Sequence, residues 1–275
     1  ARGLGDLYKR QHVDGSGEHG FRVGGQVPIT GIHFDGCSTS GTGAGSVEKH
    51  GGCGFKVLGA TTNPSPTARH ENVRFTNCTV EDVTPGMASG NFSGFNIGKS
   101  KNVVLDNCIV RKVNGPSSAA YGFALLGSEN VSIINPTVED TVGAAIRLYS
   151  EETTADYQFG GAATDIHITG GTLRRTTAGL LINGGGATIR RITMDGTTID
   201  GGAHAVAVYS SVLNRCSFDF LAAGITTETL LGCETAMVSG RGDLVGASAA
   251  RGGSTFLDYG SYQTKVYRSG GWSAL

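Results

Sequence analysis

Charge is scarce in this chain. Only 16% of its 275 residues are Asp, Glu, Lys or Arg, against roughly 25% in a typical domain. The 22 cations and 23 anions leave a net charge of -1. A nucleic-acid-binding protein usually carries a basic patch or stripe, so nucleic acid is not an expected partner. Long apolar runs are missing too. None approaches the ~20 residues that cross a bilayer as a helix, and membrane insertion is not expected. No charged-then-apolar leader opens the chain. The six cysteines include no Cys-x-x-Cys pair, so no metal site is expected. A chain this long has no need of a disulfide framework. A phosphate-binding loop, a Gly-x-Ser-x-Gly elbow and a calcium-binding nonapeptide array are all absent, and no cofactor is expected.

Glycine, by contrast, is abundant: 45 residues, about twice the usual share. It follows no Gly-X-Y period, which points to many tight turns. One phrase recurs. Residues 72–80 read Asn-Val-Arg-Phe-Thr-Asn-Cys-Thr-Val, 102–110 Asn-Val-Val-Leu-Asp-Asn-Cys-Ile-Val and 130–138 Asn-Val-Ser-Ile-Ile-Asn-Pro-Thr-Val. Fainter copies start at Ile32, Ile166 and Ile192. A repeat of 20–50 residues signals a stacked architecture. Alternation of apolar and polar residues within each copy predicts two short strands. Between them stands Gly36, Asn77, Asn107, Asn135, Gly170 or Gly196, residues that tolerate a left-handed corner. A third strand follows: Gly20-Phe21-Arg22-Val23, Gly54-Phe55-Lys56-Val57, Gly94-Phe95-Asn96-Ile97, Gly122-Phe123-Ala124-Leu125, and later Ala145–Leu148, Gly179–Ile182 and Ala205–Val208.

Three strands per turn, repeated about seven times, make a parallel β-helix. The corner Asn, the Asn-Val opening and the Gly-apolar-x-apolar third strand resemble the right-handed β-helix of pectate lyases, polygalacturonases and phage tailspikes over roughly residues 15–211. The resemblance implies the handedness. It also makes the third-strand sheet the lining of a substrate groove and the preceding connection the site-forming loop. Those connections are long at 40–53, 81–93 and 111–121, and a further insert spans 150–164. The expected fold class is therefore all-β: a right-handed parallel β-helix over residues 1–211, with a β-rich cap or association segment over 212–275. Gly20–Val23 has no clear pair of strands before it, so the chain reads as entering part-way through a coil and as compatible with a longer protein.

Stacking turns the repeat into columns with a spacing of about 4.8 Å. Asn77, Asn107 and Asn135 form one, able to hydrogen-bond along the stack. Asn77, Asn91 and Asn130 also begin Asn-x-Ser/Thr sequons, and a buried corner asparagine would accept a glycan poorly. Cys37, Cys78 and Cys108 form the next column and are expected as free buried thiols, since parallel Cβ vectors suit a disulfide poorly. Cys53, Cys216 and Cys233 take no assignment. A charge column runs Glu81, Arg111, Glu139, Arg174, Asp200, beside Asp82, Lys112, Asp140 and Arg175. Two readings stand for it. Alternating charge on neighbouring strands is a structural ladder, each pair contributing about 0.2–1 kcal/mol. Alternatively, Glu81 and Glu139, two coils or about 9.6 Å apart, are an acid–base pair near the ~6.5–9.5 Å separation of an inverting glycosidase.

The outer third-strand face reads Arg22, Lys56, Asn96, Ala124, Arg147, Leu181, Ala207, then Leu58, Leu126, Tyr149, Asn183, Tyr209. Cations suit sugar carboxylates, tyrosines pack on ring faces and Asn takes hydroxyls. Arg22, Lys56, Asn96, Arg147, Tyr149 and Tyr209 are thus the expected substrate-binding residues; an ordinary solvated sheet or a subunit interface is the alternative. Candidate acids and bases lie beside this face in two clusters: Asp14, Glu18, His19 and His50, or Glu151, Glu152, Asp156 and Tyr157 of the insert. The expected catalytic set is Glu18, His19, His50, Glu139, Glu151 and Asp156. Polygalacturonases carry an Asp pair and a Gly-His-Gly here. This chain offers only Glu18-His19-Gly20 and Gly202-Ala203-His204 and lacks the Asp pair, so those catalytic residues are not carried over.

The functional expectation is a polysaccharide-degrading glycoside hydrolase resembling tailspikes and capsule depolymerases, its partner a capsular, lipopolysaccharide or similar glycan. The alternatives are a lyase that cleaves a uronic-acid polymer by β-elimination, with Arg22, Lys56, His19 and His50 as cations and base, and a non-catalytic adhesin or spike. Tailspike resemblance further implies a homotrimer and an extracellular or virion-associated place.

Overall fold

The computed structural model describes residues 7–24, 27–45, 52–58, 69–86, 92–115, 119–149, 163–183, 188–209, 212–214, 216–225, 238–242, 255–258, 263–268 and 271–274. Every described element is a strand or a turn. The first four coils are Leu7–Lys9, His12–Asp14 and His19–Gly24; His33–Asp35, Ser38–Thr42 and Cys53–Leu58; His70–Thr76, Thr79–Val83 and Phe92–Gly98; and Ser100–Asp106, Ile109–Val113 and Ala120–Leu126. In the next two, the second and third strands run on as one, Thr137–Tyr149 and Thr172–Asn183, after first strands Glu129–Ile134 and Thr164–Thr169. The seventh joins its first two strands in Thr188–Gly202 and ends with His204–Tyr209. Each strand pairs in parallel with its counterpart one coil on. Among the described residues this is a parallel β-helix whose first seven coils hold three strands each.

Two boundaries differ from the sequence reading. Leu7–Lys9 and His12–Asp14 pair in parallel with His33–Asp35 and Ser38–Thr42, so Gly20–Val23 does have two strands before it. They are three residues each and carry one inward side chain apiece, too little for a visible alternation. Nor does the stack stop at residue 212. Val212–Asn214 and Cys216–Ile225 lie in parallel on Thr188–Gly202, and Val238–Gly242 and Thr255–Asp258 continue the series. Among the described residues, antiparallel pairing is confined to the end, where Gln263–Arg268 lies between Thr255–Asp258 and Gly271–Ala274.

The core is a column of side chains. Tyr8, Phe34 and Phe75 stack from the first strands at 4.7 and 4.9 Å. Phe21, Phe55, Phe95 and Phe123 stack from the third strands at 4.9, 4.9 and 5.0 Å. The two stacks meet edge to face, as at Phe34–Phe55, a favoured arrangement for ring quadrupoles. Later coils continue both stacks with Leu105, Ile133, Ile168 and Met194, and with Ile146, Leu180 and Val206.

The glycine near the start of five of the third strands (Gly20, Gly54, Gly94, Gly122 and Gly179) has a steric cause. A Cβ on Gly94 would lie 2.5 Å from the Val110 side chain and 2.9 Å from the Gly122 carbonyl oxygen. The coil closes there, with the third strand pressed against the next coil's second strand. The corner residues hold the expected left-handed backbone, from φ 47° at Asn135 to 65° at Gly196.

Candidate functional site

The first strands, second strands and third strands each present an outward face. On the second-strand face the charge column is joined. Arg111 donates to Glu139 Oε2 at 3.2 Å and to Glu81 Oε1 at 3.1 Å. Arg174 Nε lies 3.1 Å from Glu139 Oε1, although its N–H is not aimed for a hydrogen bond. Arg175 donates to Asp140 at 2.5 and 3.0 Å and holds that carboxyl below its usual range. Glu139 therefore sits between arginines of both neighbouring coils. Of the expected asparagine ladder, the upper rung is formed, with Asn135 donating to Asn107 at 3.3 Å. These corner asparagines are exposed, not buried as the sequon argument assumed.

The third-strand column is in the predicted register: Arg22, Lys56, Asn96, Ala124, Arg147, Leu181 and Ala207 are successive partners. It is less open than expected. Arg22 is exposed, Asn96, Arg147 and Tyr149 are half-buried, and Lys56 is only 6% exposed. Sequence reasoning missed a second column one step earlier: His19, Cys53, Ser93, Tyr121, Ala144, Ala178 and His204. Its signal was the residue that precedes each invariant-looking Gly or Ala. Tyr121, Ala144, Ala178 and Ala207 form an apolar cluster separate from the main core.

The N-terminal end of this face brings His19 and Lys56 together. His19 Nδ1 accepts the Cys53 backbone N–H at 3.3 Å, and His19 Nε2 lies 3.2 Å from Lys56 Nζ. Burial, reinforced by the Lys56 and Arg22 charges, pushes the imidazole down to about 3. Cys53 is buried against Ser93, with Sγ–Oγ 3.6 Å, and burial pushes its thiol up; it is no ready thiolate. Three coils on, the Arg147 guanidinium lies 4.5 Å from the Tyr121 ring centroid and 4.1 Å from that of Tyr149. Two such cation–π contacts fix the plane of the fork. From Lys56 to Arg147 is about 14 Å along the stack.

Of the remaining predicted residues, Glu18 is half-buried beside His19. Tyr209 is the strand partner of Asn183, with its side chain outside the description. His50, Glu151 and Asp156 lie outside the described residues. Cys37, Cys78 and Cys108 are buried free thiols, as are Cys53 and Cys216.

Two solved structures align with this chain. The A-module of the Azotobacter vinelandii mannuronan C-5 epimerase AlgE6 aligns with 86% of this chain and 74% of its own, at 14% identity and a TM-score of 0.40. PfbA, a surface adhesin of Streptococcus pneumoniae, aligns with 98% of this chain and 91% of its own, at 12% identity and a TM-score of 0.46. Likeness at this level carries no argument about chemistry. No curated protein matches the sequence. Residues 30–219 match the family described as the right handed beta helix region. The chain belongs to the right-handed parallel β-helix family.

Proposed function

We propose that this protein binds an acidic polysaccharide along the third-strand face and cleaves it by β-elimination at a uronic acid. The observation that carries the reading is the 3.2 Å contact between Lys56 Nζ and His19 Nε2. His19 Nδ1 accepts a backbone N–H, so in the neutral ring the proton sits on Nε2. When Lys56 gives up its proton to solvent, that N–H faces the lone pair of its amine. A neutral amine is the form of lysine that removes a proton.

The chemistry follows from the column. Arg22 and Asn96 flank Lys56 one coil to either side, about 4.8 Å away. Arg22 meets the uronate carboxylate and offsets the charge that develops on it. Lys56 takes the C5 proton, and the electron pair moves into a C4–C5 double bond as the C4–O bond breaks. The leaving oxygen departs with a proton from water. Arg147, clamped between its two tyrosines, holds the carboxylate of a sugar further along the chain. His19 fixes the amine in place and is a positioning residue.

Hydrolysis needs two carboxyl groups across the scissile bond. Among the described residues, the third-strand columns carry none, and we assign Glu139 to the structural ladder. The test is incubation with pectate, alginate, hyaluronate and a panel of capsular polysaccharides. β-Elimination gives reducing ends together with the ultraviolet absorbance of an unsaturated uronate. Reducing ends without that absorbance mean hydrolysis. Binding with neither means an adhesin.

A further inference from the structure

A second site lies on a different face. A left-handed residue at or near the start of the first strand in the second to seventh coils makes its own column: Gly31, Asn72, Asn102, Asn130, Asp165 and Arg191, all with positive φ. Three of these are asparagines joined in one direction. Asn130 Nδ2 donates to Asn102 Oδ1 at 2.8 Å, and Asn102 Nδ2 donates to Asn72 Oδ1 at 3.1 Å. Above them, Arg191 pairs with Asp165. The chain of amides therefore ends on the Asn72 NH2 group, directed at the next coil down. There the residue is Gly31, with no side chain to receive it.

This donor end opens into a concavity of about 430 Å³, lined by Gly31, Ile32, His33, Asn72, Arg74 and Val104 among others. His33 and Arg74 are direct strand partners on its wall. His33 Nε2 is shielded from water and has no hydrogen-bond partner among the described residues. Val104, half-buried, gives the floor an apolar patch. Hydrogen bonds in a chain polarise one another, so the terminal amide is a stronger donor than an isolated one. Arg74 is offset by Asp106 at 3.5 Å, and Glu71 is exposed nearby, so the wall does not favour an anion.

We infer that this concavity is a binding site for a neutral pyranose ring, separate from the third-strand face. A sugar hydroxyl takes the rung that Gly31 leaves empty and accepts from Asn72. A second hydroxyl meets the His33 ring after a turn of the imidazole. The ring's C–H face rests on Val104. On a polysaccharide-active protein such a site tethers neutral stretches of polymer while another face acts, but it stands whether or not the third-strand face is catalytic.

The structure supplies its own test variant. Gly31→Asn places in this coil, at φ 82°, the residue that three following coils carry in the same left-handed region at φ 54–56°, so the fold is retained and the Asn72 donor is capped. The experiment is an NMR titration of the side-chain amides with the methyl glycosides of glucose, galactose and mannose. Expected is a saturable shift of the Asn72 NH2 signals with at least one glycoside, a smaller response at Asn130, and loss of both in Gly31→Asn. No saturable shift with any of the three, or a shift that persists in Gly31→Asn, overturns the inference. The titration reads only the Asn72 and Asn130 amides, and Gly31 lies off the third-strand face, so failure of this site and failure of the third-strand reading are distinguishable.

Discussion

Arg111 reaches Glu139 on the coil above at 3.2 Å and Glu81 on the coil below at 3.1 Å. One guanidinium thus ties three coils. The same two glutamates, at about 9.6 Å by stacking distance, match the spacing of an inverting acid–base pair. The arginine between them donates to both, and on that ground we assign the pair to the structural ladder.

Glu139→Gln should therefore lower stability and leave polysaccharide cleavage unchanged. Its side chain is 17% exposed and faces cations on both sides, so a loss of about 1–2 kcal/mol is expected. Glu81→Gln, at 52% exposed, should cost less. Urea unfolding with a parallel activity assay checks both. Loss of activity in folded Glu139→Gln contradicts the structural assignment.

Acid should loosen the fold in two windows. His70 is fully buried, with Nδ1 accepting the Ile29 N–H at 3.0 Å and Nε2 donating to the Leu58 carbonyl at 3.1 Å. Burial lowers both His70 and His19, the latter to about 3, from the ordinary 6.5. An unfolded chain binds these protons first. Stability is therefore complete above about pH 6.5 and falls as pH drops toward the lowered values. Asp140 and Asp165, lowered by Arg175 and Arg191, add their loss only below their ordinary 3.8. Urea midpoints should already fall between pH 7 and about pH 5, and His70→Gln should flatten part of that slope. A midpoint flat over this interval contradicts the neutral buried imidazoles.

Arg147→Lys should raise KM for an acidic polymer with little change in kcat. Lysine keeps the charge and loses the planar fork that stacks between Tyr121 and Tyr149. The two cation–π contacts are worth about 0.5–2 kcal/mol each, so a rise in KM of roughly tenfold is expected. Steady-state kinetics on oligosaccharides of increasing length checks it, since only those long enough to span from Lys56 should respond. An equal effect on the shortest cleaved oligosaccharide places Arg147 elsewhere than a distal subsite.

Much of the fold was legible because the repeat is local and steric. The corner glycines and asparagines report left-handed backbone directly, and each third-strand glycine reports a close approach. The column Arg22–Lys56–Asn96–Arg147 follows from register alone. What escaped was whatever register cannot encode. The strands at Leu7–Lys9 and His12–Asp14 are too short to alternate. The burial of Lys56 depends on what packs over the sheet. The donor end at Asn72 becomes visible only when side-chain direction along the ladder is known. The pairing of His19 with Lys56 joins the predicted column to one that sequence reasoning did not see.

The central claim rests on the Lys56 amine, and Lys56→Met tests it most directly. Methionine keeps the length and removes the base. With a uronate polymer that the wild type cleaves, the variant should lose the unsaturated-uronate absorbance by at least about 10²-fold in kcat, the usual contribution of a general base. It should still bind the polymer through Arg22 and Arg147, and His19→Gln should show a partial loss. Full elimination activity in folded Lys56→Met, or cleavage of the panel with reducing ends and no unsaturated product, contradicts the account.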